Sequence, residues 1–146
     1  MKPTLIPILL FMLMTGCKPD HHHIEKIEYG VTSCYQPCPT YRIIINKDLT
    51  CSYNVWVSNK INGEYSTKVS RAYYQQLIDI LTYIHFEQMD SSYNLPIADL
   101  QNGVLRITYD NGKVKEIYDY GNGGTDRLQY VYQKLYKIKD SPDKIH

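Results

Sequence analysis

Val104-Leu105-Arg106-Ile107-Thr108-Tyr109, Asp110-Asn111-Gly112-Lys113, Val114-Lys115-Glu116-Ile117-Tyr118-Asp119-Tyr120 is the stretch whose reading decides the fold. Apolar and polar residues alternate on both sides of an Asn-Gly pair. That pair accepts the positive φ values of a tight hairpin turn, so the two runs are antiparallel neighbours. Working upstream, Tyr41–Ile45 and Leu49–Val57 flank Asn46-Lys47-Asp48 in the same way, with Leu49, Cys51, Tyr53, Val55 and Val57 on one face. Ile24–Val31 reads as a first strand, and Glu64–Val69 as a further one after the turn signal Asn62-Gly63. Ser70 is a suitable N-cap for a helix through Ile84, with Tyr73, Leu77, Ile80, Leu81 and Ile84 in one stripe. His85–Asn102 reads as a connection, since Pro96 interrupts any regular element. Downstream, the loop Gly121-Asn122-Gly123-Gly124 leads to a helix over Asp126–Ile138 that aligns Leu128, Val131, Tyr132, Leu135 and Ile138. The loop's glycines do not match a nucleotide-binding spacing. The expected fold is α+β: an antiparallel sheet of about five or six strands, with two helices packed on one face.

The N-terminal residues give the address. Lys2 precedes an apolar run from Leu5 to Met14, and the run ends in Thr15-Gly16-Cys17. A basic start, an apolar segment and small residues before a cut make a secretion signal. About ten apolar residues fall short of the roughly 20 that span a bilayer as a helix. Ending on Cys, the segment resembles a bacterial lipoprotein signal, in which cleavage leaves an acylated Cys17 as the new N-terminus. Residues 1–16 are then the signal peptide, 17–23 the lipidated Cys and a polar tether, and 24–140 a single domain. The expected location is outside the cytoplasm, anchored to a bacterial membrane by diacylglycerol and palmitate on Cys17. Lys18, rather than Asp, after that cysteine is compatible with an outer membrane. His21-His22-His23 closes the tether; three adjacent imidazoles on a flexible segment have no fixed geometry for a metal.

Charge and composition narrow the partners. Lys+Arg number 16 and Asp+Glu 15, and removing Lys2 with the signal leaves the two signs equal. A neutral balance argues against nucleic acid and against a polybasic membrane patch, leaving the acyl chains as the membrane contact. Tyr is used 15 times against two Phe and one Trp. Its apolar ring and polar tip suit a half-buried sheet surface, and they equally suit a protein or glycan partner. Tyr29, Tyr53, Tyr118 and Tyr120, lying in alternating strand segments, are the candidate binding face.

Ser33-Cys34-Tyr35-Gln36-Pro37-Cys38-Pro39-Thr40-Tyr41 is the sharpest local motif. In an oxidising compartment two cysteines four positions apart suit a disulfide. The alternative is a copper or zinc site or a redox pair on Cys34 and Cys38, since soft thiolates favour Cu(I). Thioredoxin-like copper chaperones carry Cys-x-x-x-Cys-Pro at the start of a helix, whereas the β-branched run after Cys38 reads as strand. Cys51 falls in an apolar row and is expected to be a buried, unreactive thiol. No resident cofactor is implied.

Several of these residues together resemble an uncharacterised family of small bacterial envelope lipoproteins of unknown function. The resemblance rests on Cys34, Cys38-Pro39 and Tyr41, matching Cys-x-Gly-x-Cys-Pro-x-Tyr; on Ser70 with Leu77; on Asp99; on Asn111-Gly112; on Ile117-Tyr118-Asp119-Tyr120; and on Leu128. It covers Ile24 to Ile138. Gln36 stands where the family pattern has Gly, and Thr125 or Asp126 where a Pro often starts the last helix. The resemblance implies location and architecture, not chemistry. His85, Asp99, Asp119 and Asp126 are the residues available for acid–base work. They come without a nucleophile elbow, zinc-helix motif or paired-carboxylate spacing. The expected function is a non-catalytic binding or interaction module.

Overall fold

The computed structural model describes residues 22–32, 38, 40–57 and 60–140. The signal segment, Cys17 with the first part of the tether, and Cys34 lie outside the described residues. The strands are β1 (Ile24–Val31), β2 (Thr40–Asn46), β3 (Thr50–Val57), β4 (Lys60–Lys68), β5 (Ser92–Asn94), β6 (Asn102–Tyr109) and β7 (Lys113–Tyr120). The helices are α1 (Arg71–Tyr83) and α2 (Asp126–Asp140). Together the strands form one open sheet in the order β4-β3-β2-β1-β6-β7-β5.

The sheet has seven strands and is mixed, where the sequence predicts five or six, all antiparallel. The extra strand is Ser92–Asn94, inside the segment expected to be a connection, and it runs parallel to β7. Three residues without apolar alternation carry no strand signal of their own. They extend because the outer edge of β7 offers unpaired backbone groups: Tyr118 N donates to Ser91 O at 3.0 Å, and Leu95 N to Tyr120 O at 3.3 Å.

The other elements follow their local chemistry. Asp110, Asn111 and Gly112 all have positive φ between β6 and β7, a conformation for which Asn, Asp and Gly are the natural choices. Ser70 Oγ accepts from Tyr73 N at 3.1 Å and caps α1. The deep residues of α1 are Tyr74, Leu77, Leu81 and the adjoining Ile84, so the stripe is rotated slightly from the expected one and Tyr73 is only half-buried. On α2 the expected Leu128, Val131, Tyr132, Leu135 and Ile138 are all buried.

Both helices lie on one side of the sheet. Ile27, Tyr29, Ile43, Ile45, Cys51, Tyr53, Leu105, Ile107 and Ile117 point toward them and are buried. Tyr74 Oη donates to Ile24 O at 3.0 Å, and Tyr73 Oη donates to Lys134 O, tying α1 to β1 and α2. Tyrosine rings fill much of this layer. Tyr29 stacks on Tyr132 at 4.7 Å between centroids and meets Tyr41 and Tyr136 edge-on at 6.1 and 5.9 Å. Tyr41 continues to Tyr53 at 6.2 Å, and Tyr53 to Tyr65 at 5.9 Å. No described element covers the opposite face.

The polar tether expected over 17–23 does not extend to its last two residues. His22 Nδ1 lies 2.5 Å from Asp110 Oδ2, and its ring meets Phe86 and Tyr109 edge-on at 5.6 and 5.1 Å. His23 N donates to Asp110 Oδ1 at 2.7 Å. The chain is thus fastened to the β6–β7 turn one step before β1, because Asp110 presents a carboxylate to the backbone and imidazole of the incoming segment. Among the described residues no helix is long and apolar enough to cross a membrane.

Candidate functional site

The four tyrosines expected to share a binding face are not brought together. Tyr29 is fully buried and Tyr53 nearly so, both on the helix-covered side. Register is the cause: Tyr29 shares its face with Ile27 and Val31, and Tyr53 stands opposite Ile43 across the β2–β3 pair. Burial raises the Tyr29 phenol above the ordinary tyrosine value, further raised by Tyr136 and Tyr41. Tyr120 is half-buried, its hydroxyl accepting from Leu100 N at 3.1 Å. Only Tyr118 stands exposed, on the uncovered face. The Tyr excess is mainly packing material.

What the uncovered face holds instead is a ladder of charges. Glu28 faces Arg106 directly across β1 and β6, and Arg106 faces Glu116 directly across β6 and β7. Glu28 is 5 % exposed although it sits on the open side. Its Oε2 is 2.9 Å from Lys26 Nζ, and its Oε1 accepts from Arg42 Nη2, so the two long side chains cover it. Burial pushes the Glu28 carboxyl up, but the hydrogen bonds and charges of Lys26 and Arg42 outweigh this and leave it below the usual glutamate value. Arg106 Nε donates to Glu116 Oε2 at 2.5 Å. Glu116 is also held low, first by the Tyr118 hydroxyl and then by Arg106.

Beside this ladder is a hollow of about 490 Å³. Its floor is Gly30, in the middle of the sheet between Arg42 on β2 and Val104 on β6. Among the described residues a Cβ at Gly30 would meet only Tyr41 O, at 3.7 Å, an ordinary contact. Trp56 and Thr40 wall one side, while Arg42 and Arg106 flank the hollow. Thr32 and Thr40, both lining residues, are the ends of the connection that carries the Cys34–Cys38 motif. A concave site with an apolar wall and a few charged donors can hold a small ligand or one residue of a chain.

Residues 25–139 match the family described as a domain of unknown function, DUF6438. The chain belongs to that family. No curated protein matches it. The DUF6438 match spans every strand and both helices except the outermost residues, so the open face and its hollow are part of the family domain.

The remaining candidates of this DUF6438 domain are dispersed. Cys38 is described next to the start of β2, and Cys34, the other cysteine of the motif, lies outside the described residues. Cys51 is free and buried on the helix side of β3, and burial pushes its thiol up to about 11. Asp119 is fully buried at the end of β7; its Oδ1 accepts from Gly124 N at 2.9 Å and organises the loop that enters α2. His85 and Asp99 occupy exposed, left-handed backbone positions, and Asp126 opens α2. Among the described residues, no three His, Cys, Asp or Glu side chains are placed to share a metal ion.

The hollow itself escaped the sequence. Gly30 falls there within the first strand, Ile24–Val31, and Arg42, Trp56 and Arg106 are separated from it and from one another along the chain. A single glycine inside an alternating strand is the one available signal, since it marks a place where another group approaches the backbone.

Proposed function

We propose that this protein is an exported bacterial lipoprotein, cleaved before Cys17 and acylated there, whose domain is a non-catalytic binding module. Its recognition site is the hollow over Gly30. The observation that carries the reading is the absence of a side chain at Gly30 in mid-sheet, leaving an open floor between two arginines and a tryptophan. The Tyr-bearing surface is not part of the proposal, because Tyr29 and Tyr53 are interior. A Cys34–Cys38 disulfide is part of it. The oxidising compartment that export implies favours that pairing over a copper or zinc site.

Gly30→Val tests the site. Valine suits a strand, and among the described residues the only contact its Cβ makes is an ordinary one, so folding is expected to be retained while the hollow is filled. A thermal-shift screen of amino acids, short peptides and sugars is run on the wild-type domain and on Gly30→Val. Compounds that raise the wild-type Tm are expected to leave the variant's Tm unchanged. Equal shifts in both proteins would remove the hollow as the site. Retention of Cys17→Ser in the membrane fraction at the wild-type level would remove the lipid anchor.

A further inference from the structure

Resting on the reading of the hollow as a binding site, we propose that its ligand is a peptide C-terminus: one free carboxylate beside an apolar last side chain. The charges set the first half of this. Of the described residues lining the hollow, Arg42 and Arg106 are positive and Glu28 is negative, leaving one net positive charge. Glu28 spends both oxygens on Lys26 and Arg42 and is itself covered. It therefore holds the Arg42 head in place and presents little negative surface of its own. Each guanidinium carries five donors, of which Arg42 gives Nη2 to Glu28, and Arg106 gives Nε and Nη2 to Glu116. Both side chains remain about half exposed, so donors are left over on either side of the Gly30 floor. A monoanion matches that one net charge. A phosphate dianion would overfill it and sit against Glu28 and Glu116.

The apolar half follows from the walls. Trp56 and Val104 approach the floor from β3 and β6. The backbone of β1 at Gly30 is already paired on both sides, so it cannot serve as the edge for an added strand. Strand addition at Gly30 is thus ruled out, and in the proposed pose the terminal residue lies over Gly30 with its carboxylate between Arg42 and Arg106. Arg suits this because its planar fork grips a carboxylate in a fixed direction.

The experiment uses the full chain, titrated with acetylated tetrapeptides ending in Ala, Val or Leu. Each peptide is supplied as the free acid and as the C-terminal amide, and binding is followed by calorimetry or amide chemical shifts. The free acids are expected to bind at least about tenfold tighter than the amides. Arg42→Gln and Arg106→Gln are each expected to cost about tenfold for the acid and little for the amide. Gly30→Val is expected to remove binding of both. Equal affinity for acid and amide, with loss in Gly30→Val, overturns the carboxylate while leaving the hollow as a site. Undiminished binding to Gly30→Val overturns the hollow itself. Binding of glucuronate or galacturonate with no binding of any peptide replaces the peptide by an acidic sugar and overturns the proposal.

Discussion

Gly103 and Gly30 sit one register step apart on neighbouring strands, on opposite faces of the same sheet, and they meet opposite fates. Beneath the helices, a Cβ at Gly103 would lie 3.1 Å from Tyr29 Oη, because the Tyr29 ring already uses the space the glycine leaves. On the open face no described side chain uses the space at Gly30. The covered face is a packed layer rich in tyrosine rings, one of which fills the space at Gly103. The open face is a thin charge ladder with a vacancy kept. Stability resides on the first face, and specificity is free to reside on the second, where substitutions disturb little packing.

The strongest way to break this contrast is Tyr29→Ala. Removing a fully buried ring that stacks on Tyr132 is expected to cost about 4 kcal/mol, read as a lowered urea midpoint. Tyr29→Phe sharpens it. The hydroxyl lies 3.4 Å from Tyr136 Oη, at the long end of hydrogen-bond range, so the expected cost stays below about 1 kcal/mol. A comparable loss in both variants would mean that the hydroxyl network, not ring packing, holds the layer.

An intermediate effect is expected on the open face at Glu28→Gln. Lys26 and Arg42 are 39 % and 50 % exposed, so solvent screening limits the cost to about 1–2 kcal/mol at neutral pH. The pH dependence has a definite sign. The folded carboxyl titrates below its usual value of 4.5, so its contribution is present above that pH and fades as pH falls below it. The gap between the urea midpoints of wild type and Glu28→Gln should be present at pH 7 and narrow as pH falls below 4.5. A gap that does not narrow would assign the effect to shape instead of charge.

The smallest effect belongs to Tyr118→Ser. Tyr118 is 51 % exposed and touches the ladder only through Glu116, so its loss should change stability by less than about 0.5 kcal/mol. Glu116 would then titrate closer to the ordinary glutamate value, because the Tyr118 hydroxyl is the first of the groups holding it low. A stability loss near that of Tyr29→Ala would mean that the open face is packed as tightly as the covered one.

How much of this was legible follows from the range of each interaction. The β6–β7 hairpin, the Ser70 cap and the apolar stripe of α2 are set within a few residues, and the chain alone reveals them. Strand β5 was not legible, because it exists through an edge supplied by β7 from a distant part of the chain. The tyrosines mark the same boundary. Alternation showed that Tyr29 and Tyr53 share faces with particular neighbours, and the helices decided that those faces are inside. His22 docks because Asp110 turns toward it across 88 positions.

The sequence by itself determined the α+β class, the two helices, the hairpin turn and membership of the DUF6438 family. Only the tertiary structure decided which side of the sheet is covered. It also decided that Glu28 and Arg42 meet, and that Gly30 lies open between two arginines from different strands. Local preferences act through neighbours in the chain. A site made of Arg42, Trp56 and Arg106 comes into being only when the register of β1, β2, β3 and β6 places them side by side.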